Sequence, residues 1–322
     1  MKLDGKRVAI TGGTGLIGEA LARHLLERGC QVETVSRRGV RGAGMPDGVA
    51  ARKGDVTDPA SLDFSEADVV IHAAAWVGFG LPPAKRQLML DTNVGGTVNV
   101  LAAAAKADVE RVLHVSSVAA LGRKFKEPAT EALADEPRTR FQSTYERSKY
   151  EAHQVALHGD HGVDVVAVQP SVVLGIGDTS SGLLLKRYLQ GKLPVVLTGD
   201  RPTGYVHVED VAAGSLQVLE QGEGAYILSD RSLTQEGLMS LFEATTGVAA
   251  PRRRFPMDAL WPVAAGLDLA GRFTGKRADL GLELLRGLKA PMHYDTTKAR
   301  TLGWQPDLEG HLKADAARWQ ET

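Results

Sequence analysis

A tyrosine and a lysine are the residues of this 322-residue chain whose types and spacing most directly suggest chemistry. Tyr145 and Lys149 stand four positions apart, which places both side chains on one face of a helix. A free phenol has a pKa of about 10, too high for ready proton exchange near neutrality. A neighbouring ammonium group favours the phenolate and so lowers that pKa. The pair therefore predicts a tyrosine that works as a general acid or base.

A serine pair at the end of a predicted strand supplies the third candidate. Ser116 and Ser117 follow the β-branched run 111–115. A hydroxyl at that position could polarise the carbonyl group of a substrate. A Tyr-x-x-x-Lys pair alone is common on solvated helix faces, but its combination with a strand-end serine favours catalysis. We predict Ser117, Tyr145 and Lys149 as the catalytic residues.

The elements that must position these residues alternate along the first half of the chain. Short β-branched runs alternate with longer helical patterns, which is typical of a parallel sheet with crossover helices. Continuous apolar strands of this kind are buried on both faces. The fold class is therefore α/β, with a Rossmann-type doubly wound parallel sheet. Strands are predicted at residues 8–10, 31–36, 68–71, 111–115, 163–168 and 205–210, and helices at 16–28, 93–107 and 145–158.

The pattern loosens after Pro170, where glycines and prolines become more frequent. We predict a dinucleotide-binding lobe of residues 1–170 and 206–225. Residues 171–205 and 226–322 would form a smaller, discontinuous lobe that binds the substrate.

A glycine-rich segment, residues 11–18, lies between the first predicted strand and the first predicted helix. A pyrophosphate must reach backbone N–H groups at a helix N-terminus, and a Cβ atom would hold it off. We expect Gly12 to permit the tight turn, Gly15 the close approach, and Gly18 the packing of the helix on the sheet. The N–H groups of Leu16 and Ile17 would then bind the anion. The alternative, a flexible loop, is disfavoured by this strand–loop–helix context.

The end of the second predicted strand indicates which cofactor binds. NAD sites place an acidic residue there, on the ribose 2′-OH. This chain has Ser36, Arg37 and Arg38 instead. Two guanidinium groups and a hydroxyl suit a 2′-phosphate, which an acid would repel. A solvated basic turn is the alternative, and it fits Arg38 better than both arginines. NADP(H) is the predicted cofactor.

On these motifs the chain resembles the extended short-chain dehydrogenase/reductase superfamily, that is, the NAD-dependent epimerase/dehydratase family. Segments 54–58, 72–75 and 205–212 extend the resemblance over most of the chain, and it is strongest to dihydroflavonol-reductase-like and 3β-hydroxysteroid-dehydrogenase-like members. The resemblance implies that Lys149 also holds the nicotinamide ribose. It implies further cofactor contacts from Asp55 and Val56 at the adenine, from the backbone of Ala73, Ala74 and Ala75 at the ribose and phosphates, and from the chain at Pro170 beside the nicotinamide.

The family pattern also bears on three neighbouring positions. It aligns the catalytic serine with Ser117 rather than Ser116. Asn93 matches a family asparagine near the active site, although a helix-cap role is nearly as plausible. Gln169 stands where the family usually has an arginine, so this chain departs from the family pattern at that position.

The reaction is indicated by what the chain lacks. Sugar-nucleotide members of the family carry an arginine two residues before the aromatic at position 205, where this chain has Thr203. Dehydratases need an acidic pair at the catalytic serine, and residues 117–119 supply none. We therefore predict an NADP(H)-dependent enzyme that reduces a ketone or aldehyde of a small, apolar substrate. Residues 76–79 could form an apolar wall of its pocket or simply pack as a loop. A nucleotide-sugar epimerase/dehydratase and a non-catalytic NADPH-binding scaffold remain the alternatives.

Composition limits the partners. The chain has 38 basic and 39 acidic residues, so it lacks the basic excess of a nucleic-acid-binding protein. The single cysteine, Cys30, suits a reducing compartment and is predicted to be a buried small hydrophobe. No apolar signal core precedes the first strand, and the apolar stretch 259–267 is too short to span a bilayer. We predict a cytoplasmic protein without a membrane partner.

Two further expectations concern metals and assembly. His153, His158 and His161 match no usual metal-site spacing, so we expect surface histidines near a helix end and no metal site. Relatives often dimerise through the helices that correspond to residues 93–107 and 145–158. The alanines at 102–105 would permit such a contact, and a homodimer is therefore possible, although alanines on a buried crossover helix are an equally simple explanation.

Overall fold

The computed structural model describes residues 1–42, 44–78, 81–122, 128–176, 180–274, 281–289 and 292–320. Its strands are β1 (Arg7–Thr11), β2 (Gln31–Ser36), β3 (Ala50–Lys53), β4 (Val69–His72), β5 (Arg111–Val115), β6 (Val165–Pro170), β7 (Val172–Leu174), β8 (Val196–Thr198), β9 (Thr203–His207), β10 (Gly224–Leu228), β11 (Arg231–Leu233) and β12 (Arg254–Pro256). Its helices are α1 (Leu16–Glu27), α2 (Pro83–Leu90), α3 (Gly96–Lys106), α4 (Thr144–His158), α5 (Ser180–Leu189), α6 (Val208–Gln221), α7 (Gln235–Thr246), α8 (Trp261–Thr274), α9 (Leu282–Lys289), α10 (Thr297–Thr301) and α11 (Leu308–Gln320).

Seven parallel strands form the central sheet, in the order β10-β6-β5-β4-β1-β2-β3. This confirms the predicted Rossmann-type fold. The chain builds outward from β1 through β2 and β3, then returns to the other side of β1 with β4. Ligands of such sheets bind outside the carboxyl ends of the strands at this reversal. The topology therefore places the cofactor cleft at the ends of β1 and β4.

Two apolar cores cover the two faces of the sheet, because successive strand residues point to opposite sides. Val8 and Ile10 of β1 pack with α1 and α6. Ala9, between them, packs with α3 and α4 on the other face. Helix α4, which carries Tyr145 and Lys149, therefore packs on the second core.

The remaining strands form two small sheets, β11-β9-β7 and β12-β8, beside a third apolar core. The central sheet extends past the predicted lobe boundary at residue 225, because β10 pairs with β6 through Leu228. Ala299 and Trp304, far along the chain, also pack in the core of the central sheet. The division into two lobes stays a prediction.

Two predicted elements differ most clearly from the observed bounds. The helix expected at 93–107 starts at Pro83, since α2, a π-helical turn (Asp91–Gly95) and α3 follow one another without a break. Proline at the first helical position is compatible with this start. The strand expected at 205–210 ends at His207, whose ring accepts a hydrogen bond from the N–H of Glu209 and so caps α6. Glu209 and Asp210 are accordingly in the first turn of a helix.

Cys30 is buried and its thiol donates to the carbonyl oxygen of Leu3, which confirms the predicted packing role. Within the described ranges, no helix has the length and apolar character needed to cross a membrane.

Candidate active site

Lys149 lies on α4 with its amine at the edge of the central sheet. The helix begins at Thr144 and is capped by Ser143, whose Oγ accepts the N–H of Glu146 at 2.8 Å. One turn further on, the buried Nζ of Lys149 donates to the carbonyl oxygen of Val115 at 3.0 Å. Burial lowers the pKa of Lys149 to about 8. The amine is thus fixed at the carboxyl end of β5.

Tyr145 lies one turn before Lys149 on the same helix. Its ring is buried against Leu81 and Met89, with Ala119 and Trp76 packed on the same cluster. Ala119 belongs to the short turn that follows β5, and its N–H donates to the Oγ of Ser117 at 3.1 Å. The structure therefore brings all three predicted catalytic residues to the carboxyl end of β5.

A buried ion pair, which the sequence does not predict, stabilises this arrangement. The carboxylate of Glu146 pairs with Arg138, and it also accepts the N–H of Gln142 at 3.2 Å. Arg138 donates in addition to the carbonyl oxygen of Ala120 at 3.1 Å, in the turn after Ser117. The pair thus connects the start of α4 to the serine turn. In the sequence, a glutamate in the first turn of a helix resembles a solvent-exposed charge. No local sequence pattern therefore predicts the buried ion pair.

Asn93 connects the Trp76 segment to α4. Its Oδ1 accepts the N–H of Trp76 at 2.7 Å, and its Nδ2 donates to the carbonyl oxygen of Trp76 and to the Oγ of Ser148. The residue lies inside the π-helical turn, so its proposed role as a helix cap is wrong. Asn93 instead positions a backbone segment beside the buried ring of Tyr145.

The glycine-rich loop is packed tightly on one side and open on the other. Gly12 has a φ of +74°, and a Cβ there would lie 2.5 Å from the backbone nitrogen of Ala74. A Cβ on Gly18 would lie 2.4 Å from the carbonyl oxygen of Gly12. At Gly15 the nearest atom, again the Gly12 oxygen, is at 3.4 Å. A side chain at position 12 or 18 would therefore clash with protein backbone. A Cβ at position 15 would not.

Helix α1 begins directly after this loop, at Leu16. Gly15 stands at its N-cap position and no side chain caps the helix. The first N–H groups of a helix have no partner within it. The N–H groups of Leu16 and Ile17 are therefore suitably oriented for the phosphate oxygens of a dinucleotide.

The end of β2 presents the predicted group for a 2′-phosphate. The Oγ of Ser36 is buried and has no hydrogen-bond partner within the described part of the chain. Arg37 and Arg38 are exposed, and neither forms an ion pair with a described residue. The acid on this strand, Glu33, is paired with Arg52 at 2.9 Å. One hydroxyl and two guanidinium groups thus remain for an anion.

The other predicted cofactor contacts also follow carboxyl ends of strands. The Oδ1 of Asp55, after β3, accepts the N–H and hydroxyl of Thr57, so the carboxylate orders its own turn. The carbonyl oxygen of Val56 accepts a hydrogen bond from Asn99 at 2.8 Å. Ala73 follows β4 and its N–H donates to the carbonyl oxygen of Thr11. Ala74 follows and lies against the glycine loop, and Ala75 is exposed. Pro170 is the last residue of β6 and is buried.

The histidine prediction was wrong for one of its three residues. His153 is fully buried, and its Nδ1 lies 3.1 Å from the Oγ of Ser116. Burial lowers the pKa of His153 to about 4, so its ring is neutral at physiological pH. His158, by contrast, is exposed and pairs with Asp135 at 2.9 Å. His153 lies on the same face of α4 as Lys149. On this face, closeness to the end of the helix does not predict that a side chain is exposed.

A cavity of about 480 Å³ opens between the start of α4, the start of α2, and helices α8 and α9. The residues that line it include Leu81, Arg86, Phe141, Arg147, Asp268 and Arg286. Leu81 also packs on the ring of Tyr145, so the cavity borders the cluster that contains Tyr145. In the predicted apolar wall at 76–79, Trp76 packs on the same cluster and Val77 is 45% exposed, whereas Phe79 lies outside the described residues.

The sequence matches the model of the NAD dependent epimerase/dehydratase family over residues 8–228. A putative dihydroflavonol 4-reductase of Synechocystis sp. is 31% identical, over 96% of this chain and 93% of the relative. A 3 beta-hydroxysteroid dehydrogenase/Delta 5-->4-isomerase of Mycobacterium tuberculosis is also 31% identical, over 62% of this chain and 57% of the relative. The UDP-glucose 4-epimerase of Thermotoga maritima has a similar fold, with a TM-score of 0.78, 21% identity, and coverage of 98% and 99% of the two chains.

Proposed function

Because this chain belongs to the NAD dependent epimerase/dehydratase family, and is in general terms an NAD(P)-dependent oxidoreductase, we propose that it uses NADPH to reduce a ketone or aldehyde of a small, apolar substrate. The catalytic residues of this proposal are Ser117, Tyr145 and Lys149.

The end of β2 is the observation that carries the proposal. The hydroxyl of Ser36 is buried and without a partner among the described residues, next to the exposed guanidinium groups of Arg37 and Arg38. A 2′-phosphate would accept hydrogen bonds from all three groups. Reductases exchange NADPH with solvent in each cycle, whereas an epimerase retains its bound NAD. A site built for the 2′-phosphate therefore favours reduction.

Each catalytic residue has a distinct task in the proposed reaction. When bound, the reduced nicotinamide supplies hydride to the carbonyl carbon of the substrate. The hydroxyls of Ser117 and Tyr145 donate hydrogen bonds to the carbonyl oxygen, where negative charge develops. Tyr145 then transfers its proton to that oxygen. The ammonium group of Lys149 favours the resulting phenolate and orients the nicotinamide ribose.

The surroundings of Tyr145 support an apolar substrate. Its ring lies among Leu81, Met89 and Trp76, so the surroundings of the proposed proton donor are apolar. One relative is named as a dihydroflavonol reductase and another as a hydroxysteroid dehydrogenase. A ring ketone of modest size would match both these apolar neighbours and these names.

The epimerase alternative is less well supported. Thr203 is buried in β9, in the place where sugar-nucleotide enzymes of the family carry an arginine for the diphosphate. The similarity to the UDP-glucose 4-epimerase of Thermotoga maritima, at 21% identity, is one of fold, although a UDP-glucose 4-epimerase of Streptomyces lividans is 30% identical over 67% of this chain. A non-catalytic scaffold would have no need for the anchored amine of Lys149 beside a buried tyrosine.

The test is a screen of cyclic and aliphatic ketones and aldehydes, with NADPH oxidation as the readout and UDP-glucose epimerisation measured in parallel. We expect at least one ketone to be reduced and no epimerisation. A protein that epimerises UDP-glucose, or that binds NADPH and reduces nothing in the screen, would overturn the proposal.

A further inference from the structure

Helix α8 presents an apolar surface to solvent. Half of the exposed large apolar side chains among the described residues lie within residues 255–269. They are Phe255 of β12 and Val263, Leu267 and Leu269 of α8, and each is 38% to 55% exposed. Single exposed apolar side chains are normal in proteins, whereas a contiguous patch of them marks a binding surface.

The apolar residues of α8 occupy the side of the helix that faces away from the protein. On the inner side, Ala264 is fully buried and packs with Met257 and Leu285, and Trp261 is partly buried on the same cluster. Trp261, Ala264 and Asp268 share this side, because a helix has about 3.6 residues per turn. Around the rest of the helix, the exposed residues 262–263, 265–267 and 269–270 are all apolar. A helix that faced only water would carry charged or polar residues there.

The surroundings of this apolar face are basic. Residues 251–274 and 281–289 contain six basic and three acidic residues, whereas the whole chain has slightly more acidic than basic residues. Arg252 and Arg253 are exposed and form no ion pair with a described residue. They directly precede β12, which a short helical turn, Met257–Leu260, connects to α8.

Two of the three acids in this region are already engaged by other groups. Asp258 forms an ion pair with Lys289. Asp268 accepts the backbone N–H of Leu282, the first residue of α9, at 3.1 Å. The two arginines therefore remain as positive charges for an external anion.

A second copy of the chain would need more surface than this face provides. Helix α8 has 14 residues, so its outer face is about 21 Å long and about 10 Å wide. Such a face offers at most a few hundred Å², whereas a stable protein interface buries about 800 Å² on each partner. A bilayer sets no such minimum. An interfacial helix binds in proportion to the apolar area that it buries and to the attraction between its basic residues and anionic lipids.

We propose that α8 docks on the surface of an anionic lipid bilayer, with its apolar face among the acyl chains and with Arg252 and Arg253 at the headgroups. The expectation of no membrane partner considered spanning segments, whereas a helix that lies on a bilayer does not have to span it. Asp268 and Gly271 of α8 also line the cavity that borders the cluster containing Tyr145. Docking therefore brings this cavity next to the lipid, where an apolar ketone is concentrated. This supply of substrate rests on the proposed function, and the docking does not.

The docking is tested on the full chain without any substrate. The probes are vesicles of phosphatidylcholine alone and vesicles that contain about one third phosphatidylglycerol, with bound protein measured by co-sedimentation. We expect binding to the anionic vesicles to be about 25-fold tighter, because each of two arginines near the surface contributes about fivefold. Replacing Arg252 and Arg253 together with alanine should remove this preference. The same double change at Lys2 and Lys192, which are exposed elsewhere, should not.

The apolar contact is tested with a matched pair of leucines. Leu269→Gln should weaken vesicle binding by about five- to tenfold, because it removes an apolar side chain that is 55% exposed. Leu88→Gln is the control, since Leu88 is 54% exposed on another helix, α2, and should leave vesicle binding unchanged. Both side chains are largely exposed, so both variants should keep the Tm of the parent.

A dye then locates the contact on the molecule. Cys30 is buried, so a cysteine introduced at an exposed position can be labelled selectively. An environment-sensitive dye on Leu269→Cys should shift its emission to the blue when anionic vesicles are added, and the same dye on Leu88→Cys should not.

Four results would overturn the docking proposal. They are a parent that binds neither kind of vesicle, a Leu269→Gln variant that binds like the parent, and a dye that responds at position 88 but not at 269. The fourth is a Leu269→Gln variant that keeps vesicle binding and loses self-association in light scattering, because that result would assign the face to a second copy.

The supply of substrate is tested on a ketone that the parent reduces, offered as a long-chain homologue in anionic vesicles and as a short-chain homologue in water. Leu269→Gln should lower kcat/KM for the vesicle-borne ketone by about five- to tenfold and leave that for the dissolved ketone unchanged. An unchanged kcat/KM for both ketones would refute the supply of substrate from the bilayer. A parent that reduces no ketone would instead refute the proposed function, while vesicle binding still decides whether α8 docks.

Discussion

Replacing Arg37 with alanine should weaken NADPH binding and leave NADH binding nearly unchanged. A charge-assisted hydrogen bond contributes about 1.5–3 kcal/mol, which corresponds to roughly 10- to 150-fold in affinity. The Arg37 side chain is exposed, so water and salt screen its charge and the lower end applies. We therefore expect about a tenfold loss of NADPH affinity. Ser36→Asp should have a larger effect of the same sign, because it adds a negative charge beside the 2′-phosphate.

The assay is a titration of each purified variant with NADPH and NADH by calorimetry or fluorescence. Arg252→Ala is the control for net charge, since Arg252 is also exposed but belongs to the segment that leads to β12. The loss at Arg37 should shrink as the salt concentration rises. A parent protein that binds NADH as tightly as NADPH, or an Arg37→Ala variant that loses both equally, would refute the reasoning.

The remaining predictions concern catalysis, pH and assembly. Tyr145→Phe should reduce turnover by about 10²–10⁴-fold while NADPH binding persists, because only the proton donor is removed; near-normal turnover would show that another group is the acid. Ser117→Ala should reduce turnover by a smaller factor, because Tyr145 still contacts the substrate oxygen. The pKa of Lys149 is lowered from 10.5 to about 8 in the fold, so the unfolded chain binds more protons between those values and stability should rise with pH there. Urea titrations should show that Lys149→Met lacks this rise, and an equal rise in both proteins would contradict the assignment. Val98 is 44% exposed and Ala102 is exposed on α3, so we expect a homodimer through α3 and α4, and light scattering that finds a monomer at micromolar concentration would exclude it.

The parts of the site that could be predicted from sequence are those made by neighbouring residues. The strand–glycine–helix order of residues 11–18 and the four-residue spacing of Tyr145 and Lys149 depend on local geometry alone. The strand ends at Ser36 and Val115 coincide with the predicted ones, because β-branched runs bounded by polar residues mark such ends clearly.

The parts that could not be predicted depend on residues distant in the chain. The burial of His153 depends on which face of α4 meets the sheet, and that face also carries the chemically informative Lys149. The ion pair of Glu146 with Arg138 forms across a loop whose path has no sequence signature. Short strands such as β3 contain arginine and lysine beside alanine, so they lack the apolar pattern by which a strand is recognised.

The packing of the glycine loop determines which glycine substitutions a second substitution could compensate for. A Cβ at position 12 would meet the backbone nitrogen of Ala74, and no exchange of the Ala74 side chain can move that atom away. A Cβ at position 13 would instead meet the Cγ2 methyl group of Thr34, at 2.3 Å. Serine or alanine at position 34 would remove that methyl but keep the Cβ of residue 34, which lies 2.6 Å from the added atom, so only glycine there clears the space. A substitution of Gly13 could therefore be compensated only by glycine at position 34 on β2, whereas no substitution at position 74 could compensate for a side chain at position 12.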